Sequence, residues 1–165
     1  MQATRFWASS GTPEGASATM TYAFFYVFMT LGTFGVVIAL GERGENLDGY
    51  RGLAAQRPGA ALLMLVFLMS LTGIPPTAGF TAKFVVILSA VRAGYIALAV
   101  LAVACSVVSA FFYMRIAVLM YMNEPHEPVP SRFPVAVSTA LAVAALVTLI
   151  GGIYPGSLAP WAVSP

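Results

Sequence analysis

In Leu68-Met69-Ser70-Leu71-Thr72-Gly73-Ile74-Pro75-Pro76-Thr77-Ala78-Gly79-Phe80-Thr81-Ala82-Lys83-Phe84, an apolar run is stopped by two prolines and resumes around the only lysine of the chain. Proline has no backbone N–H, so Pro75 and Pro76 remove two donors and break any helix that runs into them. Gly73 and Gly79 flank the pair and complete the expected break. Inside a bilayer, freed backbone groups are tolerated only within protein or against a water-filled cavity. A cation at membrane depth costs about 2.5–3.5 kcal/mol on insertion scales, so Lys83 is expected to face a polar interior and to have a function there.

The rest of the chain is consistent with a membrane setting. Of 165 residues, 59% are hydrophobic and 8% are charged, against roughly 25% charged in soluble domains. A net charge of +2 is too small to argue for a nucleic-acid partner. Cys105 is the only cysteine, which excludes an intrachain disulfide and a cysteine metal cluster. It is expected to be a small buried hydrophobe. His126, alone in a proline-rich loop, makes no metal site. Residues 1–18 lack the basic start and apolar core of a signal peptide. They resemble a loop leading into a helix, which suggests that Met1 is not the natural start and that the chain is the C-terminal part of something longer.

Four crossings are expected, giving an all-α polytopic transmembrane helix bundle with one discontinuous, proline-broken helix. Residues 18–40 carry no charge and would rise about 34 Å, enough to cross a hydrocarbon core of ~30 Å. Thr30, Gly32, Thr33 and Gly35 form a small, weakly polar face suited to close helix packing. Residues 41–58 hold three arginines and three acids and predict a solvated loop with a short surface helix around Leu47–Ala55. Pro58 can open the next helix. Residues 59–74 and 78–91 are each short for a crossing, and together, at about 50 Å, too long for one straight helix. They are read as two half-helices of one crossing over 59–91, broken at 73–77; two short tilted crossings are the alternative.

A long helix over 95–122 places Ser106 and Ser109 on one face, with Tyr113 one turn beyond Ser109. Phe111, Phe112 and Tyr121 suit packing or an interface. Arg115 has two readings: a side chain that snorkels to the interface, or a cation pointing inward as a charged-axis partner of Lys83. Proline excludes helix in 123–133, residues 134–153 form the last crossing, and Tyr154 to Trp161 suit headgroup depth. With 59–91 as one crossing, Arg43, Arg51, Arg57 and Arg132 lie on one side and Arg5 and Arg92 on the other. The positive-inside rule then puts loops 41–58 and 123–133 in the cytoplasm and both chain ends outside.

Burial and a nearby cation both favour a neutral amine, so a lysine in such a place can load and unload a proton as a second charge moves. This makes Lys83 the candidate proton relay, with Thr77, Thr81, Ser89 and Tyr113 to hold water or relay hydrogen bonds. In the bland reading, Lys83 snorkels or only stabilises the break. Glu42, Glu45, Asp48, Glu124 and Glu127 all lie in loops. The residues themselves point to no phosphate loop, metal site, nucleophilic triad or redox cofactor.

The quoted stretch, with Tyr50-Arg51-Gly52-Leu53, Phe28 to Gly35 and Ser106 to Arg115, resembles the C-terminal part of the antiporter-like subunits of respiratory complex I. The form Gly-Ile-Pro-Pro-Thr-Ala-Gly-Phe-x-x-Lys-Phe is most similar to the subunit N family of NADH–quinone oxidoreductases. The resemblance covers roughly residues 18–153. It implies a bundle of about fourteen crossings in two inverted repeats, of which this chain would supply the last four. It also implies a proton-pumping role, with the motif lysine falling on Lys83 as the site leading to the outer side. Other membrane subunits would be its partners in a bacterial inner membrane, and NADH, FMN, iron–sulfur clusters and quinone would belong to those other subunits. A multisubunit sodium/proton antiporter is the alternative implied, and a non-transporting structural membrane piece is the reading that needs no chemistry. The family's first repeat, with its own glutamate and lysines, has no counterpart here, so half a pathway at most is expected.

Overall fold

The computed structural model describes residues 13–125 and 134–154. The expectations for Arg5, His126, Glu127, Arg132 and Trp161 fall outside them. The described residues form six α-helices: α1 (Pro13–Leu40), α2 (Leu53–Gln56), α3 (Pro58–Thr72), α4 (Ala78–Arg92), α5 (Ile96–Met122) and α6 (Val135–Ile153). Two 3-10 turns, Gly41–Glu45 and Leu47–Tyr50, lie between α1 and α2. The described residues contain no strand. Three of the helices are long and apolar enough to cross a membrane, and the molecule is an all-α membrane helix bundle. Helix α1 starts five residues before the expected Ala18, because proline suits a first helical position whether or not the apolar run has begun.

The bundle is built around α1, which packs against α3, α4 and α6. Near the C-terminal end of α1, Val36 and Leu40 share a core with Ala61, Met64 and Phe67 of α3. Nearer its N-terminal end, Phe25 and Met29 share one with Ala78 and Ala82 of α4. The two short helices therefore follow one another along α1, both antiparallel to it. Helix α6 runs the same way: a Cβ on Gly35 would meet Leu141 Cδ2 at 2.8 Å, and one on Gly151 would strike the Phe25 ring. Helix α5 lies outside, against α3 and α4. Its Met120 reaches the core near Leu53, and Val103 lies beside Ile87.

Three expectations are corrected. First, Thr30 to Gly35 do not form one packing face. Gly32 takes the Phe67 ring of α3, whereas Gly35 takes Leu141 of α6, because α1 is surrounded rather than paired. Second, the loop after α1 is not simply solvated, and the surface helix over Leu47–Ala55 is broken into pieces. The Gly52 N–H leaves any local ladder to bond Leu119 O of α5 at 3.1 Å. Tyr50 and Leu53 plug the end of the core, 4% and 0% exposed, and Tyr50 Oη donates to Gly44 O at 2.9 Å. The Arg51–Asp48 ion pair at 2.7 Å stays exposed and adds little, on the order of 1 kcal/mol or less. Third, Cys105 is exposed, not buried. Helix α5 buries only a narrow stripe that includes Ala99 and Met120, so Cys105, Phe111 and Phe112 face outward.

Candidate functional site

The interruption between α3 and α4 spans residues 73–77. The last four carbonyls of a helix have no partner within it, and all four of α3 are accounted for here. Gly73 sits at φ +89°, a left-handed position that favours glycine. Around it the Ile74 N–H bonds Met69 O and the Gly73 N–H bonds Ser70 O, both at 3.0 Å, as in a Schellman ending. The next two carbonyls, Leu71 O and Thr72 O, would take N–H groups from residues 75 and 76, which are prolines. Lys83 supplies the missing donors. Its Nζ donates to Leu71 O at 2.7 Å and to Thr72 O at 3.1 Å. A cation at the carbonyl end of a helix is also favoured by the helix dipole.

The first turn of α4 lies against the last turn of α3. A Cβ on Gly79 would overlap Ser70 O, so only glycine allows the approach. The Gly79 N–H, an unpaired donor at the start of α4, bonds Ser70 Oγ at 3.0 Å. Ser70 Oγ in turn donates to Met29 Sδ of α1 at 2.7 Å. The Pro75–Pro76 peptide is cis. Gly152 of α6 packs on Pro76 O and Thr77, which closes the break from a third side.

Lys83 is partly buried between two cavities of opposite character. One, about 180 Å³, is lined by Tyr22, Tyr26, Met29, Leu71, Ser109 and Tyr113. Its walls carry three phenols and a serine, and Tyr22 stacks on Tyr26 with centroids 5.6 Å apart. Ser109 donates its hydroxyl to Cys105 O at 2.9 Å, leaving its oxygen as an acceptor. The space suffices for several ordered waters, each of which needs only about 10–15 Å³ of it and two to four polar partners. The other cavity, about 290 Å³, is bounded largely by Phe80, Phe84, Ile87, Val103 and Val107, with Thr72 and Ser106 at its edge. Glu42, Glu45, Asp48 and Glu124 line neither. Among the lining residues, the Lys83 charge is met by backbone and hydroxyl dipoles alone. The ammonium has three donors, of which two are committed to α3 and one is left over.

Of the residues singled out from sequence, Tyr113 lines the hydroxyl-rich cavity and Ser109 joins it. Thr77, Thr81 and Ser89 do not gather around Lys83. Thr77 Oγ1 bonds Ile74 O at 2.7 Å, Thr81 Oγ1 reaches Gly152 O at 3.5 Å, and Ser89 Oγ bonds Val86 O at 2.9 Å. Arg115 is exposed on α5 and lines neither cavity beside Lys83. Sequence reasoning missed Tyr22 and Tyr26, which look like packing aromatics in the uncharged stretch 18–40. A tyrosine one turn from another on a crossing helix was the available signal.

A bundle of apolar helices with a break between two short ones, whose freed carbonyls are held by a lysine beside a hydroxyl-lined cavity, defines a polytopic membrane helix bundle with a polar interior site. The family described as "NADH:quinone oxidoreductase/Mrp antiporter, TM" matches residues 6–112, and the chain belongs to that family. It is 46% identical over 153 residues to NADH-quinone oxidoreductase subunit N 2 of Rhizobium meliloti (strain 1021), covering 91% of this chain and 32% of the relative. It is 42% identical over 167 residues to subunit N of Desulfovibrio desulfuricans (strain ATCC 27774 / DSM 6949 / MB), covering 91% and 33%. The chain thus spans about a third of the length of these relatives. Respiratory complex I from Thermus thermophilus with bound aureothin is similar with a TM-score of 0.78 at 31% identity, over 88% of this chain and 34% of that one. The Mrp complex from Dietzia sp. DQ12-45-1b, at TM-score 0.77 and 22% identity over 92% of this chain and 37% of that one, shares the fold.

Proposed function

We propose that this chain forms the C-terminal part of a proton-translocating membrane subunit of an NADH–quinone oxidoreductase, with Lys83 as its relay site. The observation that carries this is the Lys83 amine held on Leu71 O and Thr72 O with a donor to spare beside a hydroxyl-lined cavity. The two carbonyls stabilise the charged amine, with no carboxylate among the described residues lining either cavity beside it. A second positive charge arriving nearby expels the proton into the cavity, where the phenols and Ser109 hold water to receive it. When that charge leaves, the amine reloads and the carbonyls again have a cation. The relatives named subunit N favour this reading over a sodium/proton antiporter.

In this reading α3 and α4 form one discontinuous crossing, and the chain makes four. Loops 41–58 and 123–133 face the cytoplasm of a bacterial inner membrane, and both chain ends face outside. The partners are the other membrane subunits, while NADH, FMN, iron–sulfur clusters and quinone reside elsewhere in the complex. Arg115, exposed on α5, serves the outer surface of the bundle rather than an axis through Lys83. Replacing Lys83 with Met in the assembled complex keeps the side-chain length and removes the charge. Proton pumping is expected to fall several-fold with the subunit still retained in the membrane. Retention with unchanged pumping overturns the proposal.

A further inference from the structure

Of the polar residues between Leu68 and Lys83, Ser70 alone hydrogen-bonds to two other helices at once. Ser70 is fully buried. A buried hydroxyl without partners would cost about 1–3 kcal/mol, yet this one is used in both directions and joins three helices. As acceptor it takes the Gly79 N–H of α4 at 3.0 Å; as donor it reaches Met29 Sδ of α1 at 2.7 Å. Met29 lines the cavity beside Lys83, and Lys83 lies four residues, about one turn, beyond Gly79 on the same helix. The position of α4 along α3, and therefore the point where the Lys83 amine meets Leu71 O and Thr72 O, is set by what holds residue 79. No other hydrogen bond in the described residues joins the first turn of α4 to the last turn of α3, apart from those of Lys83 itself.

We infer that Ser70 is the positioning residue for Lys83. Its hydroxyl fixes the register of the two half-helices so that the amine rests on the carbonyls left free by Pro75 and Pro76, and it holds Met29 in the cavity wall. Its role in pumping rests on the function proposed for Lys83; its role in geometry does not. Without the Ser70 hydroxyl, the Gly79 N–H loses its acceptor, α4 is free to slide or tilt, and the amine spends more time off the carbonyls, exposed to reagents in the cavity.

Because Lys83 is the only lysine in the chain, amine acylation measured at that residue reports one site. The experiment is acetic anhydride labelling of the assembled complex, read by mass spectrometry on the peptide holding Lys83, alongside proton pumping. Ser70→Ala is expected to raise the labelling rate several-fold and lower pumping. Ser70→Cys, which keeps the size but weakens the acceptor, should fall between Ser70→Ala and the parent and serves if the alanine variant fails to assemble. Labelling in both variants equal to the parent overturns the inference, as does a cysteine variant that labels faster than the alanine variant. If labelling rises as expected but Lys83→Met pumps normally, the proposed function fails while Ser70 keeps its positioning role.

Discussion

Two glycines that read alike in sequence have opposite roles. Gly79 sits where a side chain would overlap the Ser70 carbonyl, whereas a Cβ on Gly59 would meet nothing within 4 Å. Gly79→Ala therefore forces the half-helices apart and should cost at least the 1–3 kcal/mol typical of overpacking. Gly59→Ala should cost nothing and gain up to about 0.5–1 kcal/mol from lower chain entropy. The temperature at which the subunit leaves the solubilised complex checks both; equal values for the two variants would refute the close-crossing account. Lys83 and the double proline were legible from sequence because an intramembrane cation and missing donors are properties of single residues. Ser70 was not, since a serine in an apolar run usually bonds back to its own helix, as Thr72 does to Leu68 O at 2.7 Å.

At the scale of the element, helices are held together by shape more than by polarity. Gly32 of α1 leaves room for the Phe67 ring, itself fully buried in α3. Gly32→Ala should destabilise the α1–α3 pair by about 1–3 kcal/mol, and Phe67→Leu in the same chain should recover part of the loss because the two residues share one contact. Thermal dissociation of the two single variants and the double variant measures the coupling; strictly additive losses would show that the glycine and the ring are independent. The break at 73–77 and the ends of α3, α5 and α6 were readable from apolar run length and proline. The loop after α1 was misread because its charges suggested solvent. Tyr50 and Leu53 are bound there by tertiary contacts with α3 and α5, which no local pattern announces.

For the whole molecule, Gly52 and Pro125 touch, so the segment after α1 and the end of α5 occupy one end of the bundle. That contact ties the orientation of both loops to a single question. A cysteine at Glu45, in a Cys105→Ala background, should react with an impermeant maleimide in inverted membrane vesicles and stay unlabelled in right-side-out ones. The reverse pattern would invert the proposed topology. Composition made the membrane and the number of long helices plain. It did not reveal which residues surround Lys83, because Tyr22 and Tyr26 are about sixty residues away and reach it only once α1 lies along the break.

Helix α5 runs unbroken over 27 residues beside two 15-residue helices, α3 and α4, that meet at the break. Under an axial load, an unbroken helix shares the strain over its whole hydrogen-bond ladder. The neighbouring pair of short helices concentrates it at one joint, bridged by a serine hydroxyl and two lysine contacts. The bundle thus sets a stiff strut beside a jointed one, and in the relay proposed for Lys83 the joint tightens or loosens with the proton on a single amine.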